Sequence, residues 1–358
     1  MNSPITIKKR DSNLELYRII VMFMIVAHHY VFHSGLLDVL KENPTSPNSV
    51  FFSLFGMWGK TGINCFVMIT GYFMCKSKIT VRKFLKLALE IVFYNFLIYL
   101  FFIALGKSSF SVKGIIFSLI PIKFIAYDFI SCFLAFYLAI PFLNILVQNM
   151  TKRQHQLLIC LSLFIYTFIG MIPIFLLKMN YFSWFCVLFF IASYIRFYIN
   201  TEVKRDKKWG WYLLLFIILS MASVLILLYI SSIKGYMYHI YYFVYDSNKI
   251  LALLTAVCSF MWFKKIRIKY SRWINTIATS MFGVLLIHDN CDTMRHWLWK
   301  ETLQNANHYG DNHYIVFALI RVLTIFIICI VIDLIRINTI EKYTFKKIDK
   351  ILNQHSLK

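Results

Sequence analysis

Ten runs in this chain are apolar over the length a helix needs to cross a bilayer, and that feature limits the fold more than any other. A hydrocarbon core of ~30 Å takes about 20 residues at 1.5 Å each. Such runs fall at about 16–34, 54–75, 84–105, 125–147, 156–177, 182–200, 210–231, 246–263, 273–290 and 313–336. The eighth starts in the polar "DSNK", and the ninth is short and rich in Ser, Thr and Asn. The segment 111–123 is too short to cross, carries Pro121, and reads as an interfacial helix in a loop. The expected fold is all-α: a polytopic membrane protein of about ten transmembrane helices.

Composition agrees. Apolar residues make up 59% of the 358 and the mean hydropathy is +0.66, beyond what a soluble domain carries. The net charge of +22 would suggest nucleic acid in a soluble chain. Here the basic residues sit between apolar runs, so no nucleic-acid partner is expected. With the N-terminus in the cytoplasm, 26 basic residues fall on the inside, 8 on the outside and 4 within or at the ends of spans. The asymmetry predicts cytoplasmic termini, and an even number of spans agrees. The eight cysteines show no C-x-x-C pair and read as small buried residues, and no metal site is expected from their spacing. No cleavable signal peptide is expected, because the first run carries histidines and no small-x-small site follows. No repeat or linker divides the chain. It reads as one domain, 1–358, with a cytoplasmic tail 1–15, a ten-helix core 16–336 and a cytoplasmic tail 337–358.

The first run, "LELYRIIVMFMIVAHHYVF", places ionisable residues where a span should be most apolar. Such groups cost ~2.5 kcal/mol or more at a helix centre, so they mark function by default. Arg18 and His29 are eleven residues apart, within 20° of three full turns, so they share a face with His29 ~16 Å deeper. Glu15, one turn before Arg18, can hold the guanidinium. His33 continues the stripe, whereas His28 points about 100° away. A lone Arg at a helix end often only snorkels to headgroups, and a lone His often only bridges helices. Three costly residues on one stripe imply a shared polar cavity, where an imidazole suits general base work.

These residues resemble the opening of the acyltransferase family 3 membrane proteins, whose first helix carries an acid, an Arg three later, and a His after ten more. Glu15, Arg18 and His29 match one for one. "FGMWGKTGINCFVMITGYFM" is similar to the family's second helix at Gly59, Lys60, Gly62 and the Gly71–Tyr72 pair, with Thr70 where Ser is commoner. "ATSMFGVLLIHDNCDTMRHWLW" resembles a C-terminal segment of the Gram-positive branch and contains His288 and Asp289. Pro141, Phe142, Leu143 and Asn144 also resemble that branch, although "AYDF" at 126–129 departs from its usual Tyr-Trp-Phe.

The resemblance implies O-acyl transfer, commonly acetyl, from cytoplasmic acetyl-CoA to a hydroxyl of a cell-surface polysaccharide or its lipid-linked precursor, in a bacterial plasma membrane. No metal is expected. Catalytic roles fall to His29, Arg18 and Glu15, and acceptor-side or substrate contacts to Lys60, His288 and Asp289. Lys60 stands in the Gly-flanked "GKTG" and could serve an oxyanion or snorkel to the outer headgroups. His288 and Asp289, adjacent on a helix, point about 100° apart and are not expected to pair directly. Coenzyme A phosphates need cations on the cytoplasmic side, and Arg82, Lys83 and Lys86 are candidates, as are ordinary positive-inside charges. The chain ends 22 residues after the last run, so the acceptor is expected to meet the membrane core directly. Expected partners are acyl-CoA, the glycan or lipid-linked sugar, membrane lipids and other polysaccharide-synthesis proteins. A transporter or flippase for lipid-linked sugars, or an assembly subunit of a glycan synthase, would also need many helices and buried polar groups.

Overall fold

The computed structural model describes residues 11–123, 128–175, 179–199, 208–234 and 239–355, and all regular structure among them is helical. Helix α1 (Ser12–Phe32) carries Glu15 in its first turn, where the helix dipole favours an anion. Gly35, at φ +83°, allows the sharp turn into α2 (Leu36–Glu42). Helix α3 (Pro47–Gly56) starts with a Ser46 cap and Pro in its first turn. Then come α4 (Gly59–Met74), α5 (Val81–Ala104) and the short α6 (Val112–Ser118), which falls within the loop segment expected to be interfacial. Helix α7 (Phe129–Asn149) contains Pro141, and α8 (Lys152–Leu163) opens with a Thr151–Gln154 capping box and winds on through π and 3-10 turns to Met171. Next follow α9 (Tyr181–Tyr198), α10 (Lys208–Lys234), α11 (Ile250–Lys265), α12 (Arg272–Ala278), α13 (Met281–His288) and α14 (Asp292–Arg295). Helix α15 (Tyr314–Arg336) passes through a π turn into α16 (Lys342–His355), so the expected tail 337–358 is helical as far as 355.

Among the described residues seven helices are long and apolar enough to cross a membrane: α1, α5, α7, α8 extended to Met171, α9, α10, and α15 with its continuation. The other three apolar runs are helical but interrupted. The run 54–75 is divided between α3 and α4 at Met57 and Trp58. The run 246–263 begins helically only at Ile250, because Asp246 accepts the Ser247 amide on its side chain and the Lys249 amide on its carbonyl, which makes a turn. The run 273–290 breaks between α12 and α13, where the Thr279 hydroxyl donates to the Thr276 carbonyl and the Ser280 amide closes a tight turn on Ile277.

Helix α1 is central and touches α2, α3, α4, α11, α12, α13 and α15. Its Val21, Met22 and Ile25 join Val67 and Met68 of α4 and Phe185 and Phe189 of α9 in the main core. Peripheral helices show the reverse. Helix α10 exposes Trp211, Leu215, Ile218 and Ile226, and α15 exposes Phe317, Ile320, Leu323, Ile327 and Ile335. Apolar belts of that extent on closed helices suit lipid rather than water.

The close packing of α1 on α3 and α4 depends on three glycines spaced by three residues. A Cβ added at Gly56 would lie 2.8 Å from Val31, at Gly59 2.2 Å from His28, and at Gly62 2.9 Å from Ile25. The numbers rise on one side as they fall on the other, the mark of an antiparallel seam built on small residues. Gly59→Ala should therefore cost about 1–3 kcal/mol by overpacking. We expect a lower unfolding temperature in detergent, partly recovered by adding His28→Ala, which removes the ring in the way. An unchanged transition would show that the seam can open freely.

Candidate active site

The distal end of α1 and the end of α13 converge on three histidines and a carboxylate. His288 closes α13 and is fully buried, and Asp289 follows it outside helical geometry. The His288 Nδ1 lies 2.6 Å from the Val284 carbonyl, which can only accept, so Nδ1 carries the proton. A neutral His288 ring then has a bare Nε2. That nitrogen is 2.9 Å from His29 Nδ1, so His29 donates from Nδ1 and its own Nε2 is left as a lone pair. The relay Val284, His288, His29 thus sets the tautomer of the first-helix histidine.

The Nε2 of His29 faces Asp289 Oδ2 at 3.7 Å, and His33, which caps the end of α1, faces Asp289 Oδ1 at 3.6 Å. Arg295 of α14 fixes that carboxylate, with Nε on Oδ1 at 2.6 Å, and itself pairs with Asp292 at 2.7 Å. An acid beside a base that gains a proton stabilises the imidazolium that forms. A cavity of about 690 Å³ adjoins this cluster, lined by His33 and Arg295 with the aromatic faces of Phe32 and Tyr241 and the polar groups of Asp38 and Lys300.

The remaining predicted residues lie elsewhere. Glu15 and Arg18 pair at 3.2 Å near the opposite end of α1, Glu15 buried and Arg18 partly so. Lys60 donates to the Tyr181 hydroxyl at 2.5 Å and lies within electrostatic reach of Asp246 and Asp289. His28 hydrogen-bonds the Gly56 carbonyl at 2.6 Å and bridges α1 to α3, apart from the relay. Arg82 makes two bonds to Asp349 of α16, at 2.7 and 3.0 Å, and Lys86 pairs with Glu341 at 2.5 Å. Lys83 turns back on Ser77 and the Lys78 carbonyl. These three cations therefore face local or C-terminal partners.

Two features escape a reading by spacing. Arg295 sits in a stretch that spacing alone does not tie to His29. A buried ionic knot also joins α5 to α15: Arg336 holds Glu90 at 3.0 Å, Asp333 at 2.7 Å and Glu341 at 2.9 Å, while the Tyr94 hydroxyl donates to Asp333. Gly283 leaves room for it, since a Cβ there would lie 2.2 Å from the Asp333 carboxyl. Glu90 and Asp333 are acids within apolar runs, the signal that singled out the first helix.

A sequence model of an acyltransferase domain matches residues 11–334, nearly the whole chain. The chain belongs to acyltransferase family 3. No curated protein and no solved structure matches it. It is a membrane acyltransferase, and the relay lies inside the matched region. In this acyltransferase His288→Ala should leave His29 free to rotate and lose one buried hydrogen bond, worth ~1–3 kcal/mol or ~5- to 150-fold in transfer rate. His288→Gln, whose side-chain oxygen can accept the same proton, should recover most of the loss. Equal defects in both variants would mean that the orientation of His29 does not depend on this bond.

Proposed function

We propose that the protein moves an acetyl group from cytoplasmic acetyl-CoA to a hydroxyl of a cell-surface polysaccharide or its lipid-linked precursor, in the manner of the Gram-positive branch. The observation that carries this reading is the His29 Nε2 lone pair, set by His288, facing Asp289 beside a cavity of mixed polar and aromatic lining. The acceptor hydroxyl donates to Nε2. As its oxygen attacks the thioester carbonyl, the proton passes to His29 and the imidazolium faces Asp289. Collapse of the tetrahedral intermediate breaks the carbon–sulfur bond, and the thiolate takes the proton from His29. The products are the acetyl ester and free coenzyme A.

Arg18, held by Glu15, marks the donor side, ~16 Å along the helix from His29. Lys60 supplies positive charge toward the oxyanion or the acceptor, with Tyr181 fixing its ammonium. Arg82, Lys83 and Lys86 are the phosphate contacts of the donor, and for two of them coenzyme A must displace Asp349 and Glu341. On this reading α3 with α4, and α12 with α13, each form one interrupted crossing, and α11 forms another. With the seven long helices they give ten crossings, both termini in the cytoplasm, in a bacterial plasma membrane. The basic-residue asymmetry supports that orientation.

The test uses detergent-purified protein, radiolabelled acetyl-CoA and extracted cell-surface glycan, with donor binding and transfer scored separately. His29→Ala should keep donor binding and lose ~10²- to 10⁴-fold in transfer, whereas Arg18→Ala should weaken the donor step for any acceptor. Binding without thioester cleavage by the native protein would instead favour a transporter. Orientation is tested with a membrane-impermeant thiol reagent on cells, in a background without reactive native cysteines. A cysteine at 43 should be labelled and one at 78 protected. The opposite pattern would put the donor on the wrong side.

A further inference from the structure

We propose that His29, His33 and Asp289 form a site for a zinc-class divalent cation at the mouth of the cavity. Their available ligand atoms, one imidazole nitrogen from each histidine and a carboxylate oxygen, all lie within 4.8 Å of one another. His29 Nε2 lies 3.7 Å from Oδ2 and His33 Nε2 3.6 Å from Oδ1 of the same carboxylate, each longer than the about 3.3 Å edge expected of a tetrahedron with bonds of about 2.0 Å, and small side-chain rotations bring both imidazoles onto one oxygen. The two histidines are four residues apart, His29 in the last turn of α1 and His33 capping it with its amide on the His29 carbonyl, a spacing that sets two imidazoles on one side for a shared ion.

The surroundings are those of a ligand set. A metal-binding histidine generally donates its other ring N–H to a fixed acceptor, which aims the lone pair and sets the tautomer. His29 does this through Nδ1 to His288, which is anchored on the Val284 carbonyl. The carboxylate is held as well, by Arg295, whose charge is shared with Asp292. Asp289 and Asp292 balance Arg295 and the nearby Lys60, so recognition rests on the ligand atoms rather than on net charge. His33 also lines the cavity, which gives the ion a path and leaves its fourth position to water. Two imidazoles and one carboxylate select zinc or its borderline neighbours over magnesium or calcium, which prefer all-oxygen cages.

The cation uses the same lone pair that the acceptor hydroxyl needs. Zinc binding and acyl transfer then exclude one another, a consequence that rests on His29 being the base. The site itself does not rest on that reading.

The experiment is calorimetric titration of zinc chloride into the full-length, tag-free protein in detergent. Absorption of the cobalt form in the visible range reports the coordination geometry. We expect one zinc per chain with tetrahedral cobalt spectra. His33→Ala and Asp289→Asn should abolish binding while keeping the native size-exclusion profile. His288→Ala should weaken it ~10- to 100-fold and His288→Gln much less, and the exposed His308→Ala should bind as the native chain does. No saturable binding, or equal binding by His33→Ala, overturns the site. Zinc that binds with these dependences but leaves transfer untouched upholds the site and refutes His29 as the base. Failure to bind alongside normal transfer overturns the site and leaves the proposed reaction standing.

Discussion

The hydrogen bond from His29 to His288 joins positions 259 residues apart in the chain and fixes where the other ring nitrogen of His29 points. It can form only if α1 and α13 are neighbours at the right depth. That placement depends in turn on the glycine seam that draws α3 and α4 onto one side of α1. Apolar packing brings the helices together, but in a bilayer it discriminates poorly between registers, since lipid tails are as apolar as leucine. Polar pairs with defined donors and acceptors do discriminate. At the other end of α1, Asn13 bonds the Phe263 carbonyl and Ser12 accepts from Asn275, so α1 is pinned to α11 and α12 there while His29 pins it to α13.

The buried charges follow the same logic. Arg336 serves three carboxylates, and Tyr94 completes the coordination of Asp333. Removing one partner of such a set is strongly unfavourable, because it strands a charge in a medium that cannot solvate it. The knot ties α15 to α5 on one side, and through the cleft at Gly283 it constrains α13 on the other. The helix that ends in His288 is thus held from behind by a buried ion cluster and in front by its hydrogen bond to His29.

Much of the fold is legible in the sequence, because hydropathy over about 20 residues reports directly on helices that must satisfy their own backbone. All ten apolar runs hold helix. Two of the three interruptions were signalled locally, by Asp246, Ser247 and Asn248 before α11 and by Thr279 and Ser280 before α13. The pairing of Glu15 with Arg18 and the divergence of His28 follow from helix angles, whereas Asp289 leaves helical geometry and reaches His29 and His33 by a turn that those angles do not describe. His29 meeting His288 does not, since spacing says nothing across 259 residues, and only the family resemblance placed both in one site. The basic residues of α5 show the complementary limit. Their charge pattern is plain at positions 82–86, but the acids that meet Arg82 and Lys86, Asp349 and Glu341, lie more than 250 residues away.

The last helix has a length that deserves translation into depth. From Tyr314 to Lys350 it runs 37 residues, ~55 Å of helical rise against ~30 Å of hydrocarbon. A large part must therefore stand clear of the apolar layer, and its two attachments differ in kind. Arg336 is almost wholly excluded from solvent, whereas Arg82 and Asp349 are 56% and 41% exposed. Mobile ions screen the second contact and hardly reach the first. The C-terminal segment is thus a rod with a rooted base and a releasable tip, and ionic strength at the membrane surface governs how long the tip stays down.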